Sequence, residues 1–160
     1  MKQEVRIVLR STRYEVEASL FSKEEDEALP YELGGQTPEP EQVELRSLGT
    51  RVTENGRTQI SYAETEATGM EGSTTAISYQ TDEPGVVSML RQGTVSTALV
   101  FEEGKRHHCL YQTPYMPFEI CVRTLKVDNR LTEEGKLELD YIIEIRGAKA
   151  ERTKFSMEVL

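Results

Sequence analysis

The chain has 160 residues, 37% of them hydrophobic, and a net charge of −9 from 28 acidic against 19 basic residues. That length suits one domain, 1–160, able to bury roughly 70% of its unfolded surface without disulfide or metal staples. The acidity works against phosphate neutralisation and anionic surfaces, which argues against nucleic-acid and membrane partners.

No stretch reaches the ~20 apolar residues of a spanning helix. The opening Met1-Lys2-Gln3-Glu4-Val5 lacks the apolar core of a signal peptide, so the cytoplasm is the expected compartment.

Period-two alternation, the mark of a half-buried strand, recurs along the sequence. Val5, Ile7 and Leu9 alternate with Glu4, Arg6 and Arg10, and the apolar phase then moves to Tyr14, Val16, Ala18 and Leu20. One slipped residue near Ser11 or Thr12 would produce that change, so a β-bulge is expected there. Residues 22–42 break the rhythm. Ser22-Lys23-Glu24-Glu25 has capping-box spacing, Pro30 ends any helical turn, and the acidic charge reads as the solvated face of an exposed loop.

A second strand starts at Val43 and runs to Asn55-Gly56, a strong hairpin signal. Two Thr/Tyr/Ile-rich arms between Ile60 and Tyr79 flank Gly69-Met70-Glu71-Gly72 and predict the third and fourth strands. That glycine-rich centre is a turn, lacking the lysine and the strand-to-helix context of a phosphate loop. Val86–Gln92, Val95–Phe101, Lys105–Gln112 and Phe118–Val127 continue the series, with Asp128–Gly135 as a polar loop. Leu137 to Ile145 gives the cleanest alternation, and Phe155, Met157 and Val159 end the chain as a last strand. Many short-linked antiparallel strands with no covering helix favour an up-and-down barrel, because closure removes the edges.

Six motifs occur in order: Ser61-Tyr62-x-Glu64-Thr65, Thr68-Gly69, Leu90-Arg91-x-Gly93, Phe101-Glu102-x-Gly104, Tyr111-x-Thr113-Pro114-Tyr115 and Leu139-x-Tyr141. Together, over about Val43 to Leu160, they resemble the YwiB-type family of bacterial proteins. The resemblance implies a calycin-like (lipocalin-like) β-barrel and carries no catalytic residues. Tyr115-Met116-Pro117 departs from the family pattern, in which a glycine usually follows the aromatic residue.

Arg91 shares a strand face with Val87 and Met89, since side chains two apart point the same way. If that face is interior, the guanidinium needs a partner: either a carboxylate, with Glu64 the first choice, or the acidic group of a ligand. The resemblance adds weight to the ligand, because an internal arginine commonly holds the acidic head in calycin-type carriers. Glu64 and Glu66 lie on one face about 7 Å apart, a spacing compatible with acid/base work, although such a strand pair more often faces water. Tyr62, Tyr111 and Tyr141, with Tyr79, are candidates to fill or line the barrel.

His107 and His108 project to opposite faces and do not form a metal pair; His107 and Cys109 share a face without a third ligand. Cys109 and Cys121 would face each other across a hairpin centred near Tyr115, and as free thiols they suit a reducing compartment.

The expectation is a single all-β domain, an antiparallel calycin-like barrel of about eight to ten strands with an acidic insertion. It would be a non-enzymatic protein, without cofactor or metal, holding a small, partly apolar ligand, with or without an acidic head. Arg91, Glu64, Tyr62, Tyr111 and Tyr141 would contact that ligand. The alternative is a solid barrel that binds a protein partner through its surface or its 22–42 insertion.

Overall fold

The structure, a computed structural model, describes residues 2–16, 41–65, 72–93, 95–145 and 149–160. Ten strands follow one another: β1 (Lys2–Val16), β2 (Glu41–Glu54), β3 (Arg57–Ala63), β4 (Thr74–Gln80), β5 (Glu83–Gln92), β6 (Ser96–Glu102), β7 (Arg106–Gln112), β8 (Pro117–Arg130), β9 (Lys136–Ile145) and β10 (Lys149–Val159). Each pairs antiparallel with its sequence neighbours, and β1 pairs with β10, so the sheet closes into one ten-stranded up-and-down barrel. Closure of this kind removes the free edges of an open sheet, and its thinnest seam among the described residues is β6–β7, registered at Ser96↔Gln112 and Thr97↔Tyr111. Asn55 and Gly56 both adopt positive φ, 50° and 73°, as a two-residue hairpin turn between β2 and β3 requires.

One end of the barrel is solid. Ile60, Ile77, Val87, Phe101, Val122 and Leu137 are all fully buried there. The predicted polar loop after β8 is shorter than expected, because β8 extends to Arg130 and a single turn, α1 (Leu131–Glu134), occupies the rest. Asn129 Oδ1 accepts the Leu131 N–H at 3.1 Å, and Leu131 turns its side chain into the core. The Tyr79 and Thr132 hydroxyls share a hydrogen bond of 2.7 Å, which ties α1 to β4. The turn α1 therefore spans from the β8–β9 connection to β4 at this end of the barrel.

The bulge expected in β1 is not there. Register runs without a break from Ile7↔Val159 to Val16↔Ala150 on one side and from Lys2↔Val52 to Arg13↔Glu41 on the other. The inward phase of Val5, Ile7 and Leu9 continues through Ser11 and Arg13, both of which line an internal cavity. Tyr14 lies on the other face, packed with Leu125, Ile142 and Ala150, while the Arg152 guanidinium sits 5.9 Å from its ring centre. The sequence changes phase because this strand has a polar interior at one end and an apolar exterior patch beside it. Register shifts do occur in β4–β5, between Tyr79 and Gln80, and in β8–β9, between Thr124 and Lys126.

The two cysteines do not face each other. Cys109 pairs with Ile120 and Cys121 with His108, so they sit on opposite faces of the β7–β8 ladder, and both are free. Burial raises both thiols above their ordinary pKa. The insertion lies outside the described residues from 22 to 40; Glu41 and Gln42 begin β2. Glu66 and the centre of the β3–β4 turn, 69–71, also lie outside them.

Candidate functional site

The end of the barrel opposite α1 is hollow. A cavity of about 380 Å³ opens there, with an apolar wall that includes Leu9, Leu45, Leu99, Ile120 and Phe155. The five residues singled out from the sequence, Tyr62, Glu64, Arg91, Tyr111 and Tyr141, all line it. Register explains why distant residues meet. Tyr62 pairs with Thr75, Thr75 with Arg91, Arg91 with Thr97, and Thr97 with Tyr111. These residues form one inward row around the wall, with roughly 4.8 Å between neighbouring strands.

Glu64 and Arg91 are coupled through the β4 residue between them. The Thr75 hydroxyl donates to Glu64 Oε1 at 2.6 Å and accepts from Arg91 Nε at 3.3 Å; Arg91 Nη2 lies 3.6 Å from Glu64 Oε1. The Glu64 N–H reaches the Ser73 carbonyl at 2.8 Å, extending the β3–β4 ladder past the end of β3 and fixing where that carboxylate enters. The Glu64 side chain is 1% exposed and that of Arg91 18%. Such a pair carries its charges at a desolvation cost that is tolerated when hydrogen bonds complete it. One acceptor is left over: Glu64 Oε2 is buried without a hydrogen-bond partner, as is Thr97 Oγ1 in the same row.

Two charged lining residues were hidden from sequence reasoning. Arg13 and Glu151 enter the cavity wall from β1 and β10, with Ser11 and Thr153 beside them. The lining thus carries two positive and two negative groups. Arg91 is committed to Glu64, whereas Arg13 has no ion pair or hydrogen bond among the described residues. The usable signal was the inward phase of β1, which puts Arg13 in line with Leu9.

Burial and the Glu64 carboxylate push the Tyr62 phenol well above its ordinary pKa, against weaker pulls from Arg91 and Thr75. Burial raises Tyr141 too, opposed by Arg91, Arg13 and Thr153. The unfolded phenols ionise near ~10. A raised folded pKa means that this stabilisation is complete below about pH 10 and is lost as pH rises toward the folded value. Alkaline unfolding should therefore begin above pH ~10 and be shallower in Tyr62→Phe; identical pH–stability curves for the two chains would refute the coupling.

The remaining candidates do not gather into a site. His107 Nε2 lies 3.5 Å from Glu102 Oε1, and Cys109 Sγ contacts the His107 carbonyl at 3.8 Å. Among the described residues, no group of three or more His, Cys, Asp or Glu is placed to hold a metal. No helix among them is long and apolar enough to cross a membrane. At the β7–β8 corner, Thr113 Oγ1 accepts from the N–H groups of Tyr115 and Met116 and donates to the Met116 carbonyl. That side chain organises the turn without a glycine and leaves Tyr115 94% exposed.

A family model described as "Domain of unknown function (DUF1934)" matches residues 31–157. No curated protein matches the chain. Among solved structures, the crystal structure of the ywiB protein from Bacillus subtilis is similar at a TM-score of 0.62 and 18% identity, over 97% of this chain and 92% of that one. At that identity the likeness establishes a shared fold.

Proposed function

The chain belongs to the DUF1934 family of domains of unknown function, and from that starting point we propose that it is a non-enzymatic binding protein for one small, partly apolar molecule held in the barrel. The observation that supports this is the half-filled interior: a solid floor beneath a cavity of about 380 Å³, a volume within the range of small-molecule sites. The apolar wall takes the body of the ligand. Its polar end meets the Arg91–Thr75–Glu64 group, in which Arg91 is the member with exposed surface. An acidic head pairs with Arg13, which makes no ion pair among the described residues, more readily than with Arg91, whose charge Glu64 balances. The phenols of Tyr62 and Tyr141 stay protonated and serve as neutral hydrogen-bonding groups. The two free thiols suit a protein working in the cytoplasm.

The test is a block at the mouth. Val43 lines the cavity and is only half buried, so Val43→Trp adds bulk there without touching the solid floor. Wild type should bind the apolar anionic dye anilinonaphthalene sulfonate at one site, and Val43→Trp, at unchanged melting temperature, should bind at least about tenfold more weakly. Equal binding by both chains would sink the cavity reading in favour of a barrel that acts through its outer surface. Tyr115 and Met116, exposed on the rigid corner, would then be the first residues to change.

A further inference from the structure

A second site lies on the outside of the barrel. Arg106 on β7 stands directly across from Arg123 on β8, which pairs with Ile142 on β9, which in turn pairs with Arg152 on β10. Two arginines facing each other across a ladder repel, and a fold keeps such a pair only where something compensates. The outer two cations are compensated within the protein. Arg152 makes two hydrogen bonds to Asp140, at 2.9 and 2.7 Å, and Arg106 approaches Glu144 at 3.8 Å.

Arg123 is not compensated. It is 7% exposed, its Nη2 is buried without a hydrogen-bond partner, and it forms no ion pair among the described residues. A buried guanidinium left alone is costly. It borders a pocket of about 420 Å³ shared with Arg106, Lys126 and Arg152, and with the acidic residues Glu103 and Asp140. Both acids are engaged: Asp140 by Arg152, and Glu103 through the Val127 N–H at 3.3 Å. Lys126 is itself paired with Glu138 at 3.2 Å, so Arg123 is the one cation of this pocket without a carboxylate partner among the described residues.

The walls are held in place. The Gly104 N–H donates to the Thr124 carbonyl at 2.9 Å and the Thr124 N–H to the Lys105 carbonyl at 3.1 Å, which pins the β6–β7 turn against the β8 bulge.

We propose that this outer pocket binds a tetrahedral oxyanion, a phosphate or the phosphate monoester of a small molecule, with Arg123 as its central donor. The planar guanidinium presents paired N–H groups at the spacing of phosphate oxygens. Arg106 and Lys126, more exposed and each already beside a carboxylate, add N–H donors from the outer side. The site is separate from the barrel cavity, which opens among different residues at one end.

Calorimetry on the intact chain with inorganic phosphate, against chloride at matched ionic strength, tests this. One phosphate site is expected, weakened at least about tenfold by Arg123→Met. Without phosphate, Arg123→Met should melt at or above the wild-type temperature, since an unpaired buried charge has been replaced by an apolar chain. Arg106→Gln, at a more exposed position, should also weaken phosphate binding while keeping the fold, so the proposal does not depend on Arg123→Met folding. Dye binding in the barrel should be the same in all three chains. Glycerol phosphate should compete with inorganic phosphate, and phosphatidic acid vesicles should not capture the protein. Absence of phosphate binding, equal affinity in wild type and Arg106→Gln, or capture by vesicles with no effect of free phosphate would each overturn the proposal.

Discussion

An Arg91→Met chain is expected to lose about 3–5 kcal/mol of folding stability, because Glu64 then remains as a buried carboxylate without its counter-charge. The size follows from which partner is left behind. Glu64 is 1% exposed, so water cannot replace the guanidinium, and Thr75 alone supplies one hydrogen bond. Glu64→Gln should cost less, since Arg91 is 18% exposed on the cavity side and can be partly solvated there. The double variant Glu64→Gln/Arg91→Met should recover most of the single Arg91→Met loss. Urea unfolding of the four chains measures this as a double-mutant cycle. Losses that simply add would mean that the two groups are near each other without interacting.

Phe101→Ala should cost a similar amount, about 3–5 kcal/mol, for a different reason. Phe101 is fully buried and its ring centre lies 4.6 Å from that of Tyr141, inclined at 46°. Tyr141 lines the cavity while Phe101 belongs to the solid floor, so this contact is the boundary between the two halves of the interior. Truncation removes buried apolar surface and extends the void downward. The variant should still bind one dye molecule while unfolding at lower urea. A loss below about 1 kcal/mol would show that the floor collapses to fill the space, and that the division between floor and cavity is not rigid.

The barrel was legible because closure imposes the same alternation on every strand. The Asn55-Gly56 turn and the run from Leu137 to Ile145 needed only local chemistry to read. The partnership of Arg91 with Glu64 was also within reach, but the Thr75 hydroxyl between them was not. It depends on the β3–β4–β5 register, which places Thr75 opposite both Tyr62 and Arg91. Arg13 was missed for a deeper reason. Alternation reports polarity, and a strand that turns polar side chains into a cavity mimics a strand that turns them to water. The shift of apolar residues to Tyr14 and Val16 therefore read as a bulge, when the strand is regular and its lining becomes polar at Ser11 and Arg13. The cysteines failed by one residue of register: Cys109 opposes Ile120, and a single step reverses the face.

The central claim is that the cavity exists to be occupied by a small molecule. The most direct measurement is the native mass of protein purified gently from its own cells, compared with its denatured mass, for wild type and Val43→Trp side by side. Occupancy predicts one discrete excess mass on native wild type that is lost on denaturation and absent from the blocked variant. A native wild-type mass equal to that of the bare chain, or the same excess on both proteins, would contradict it.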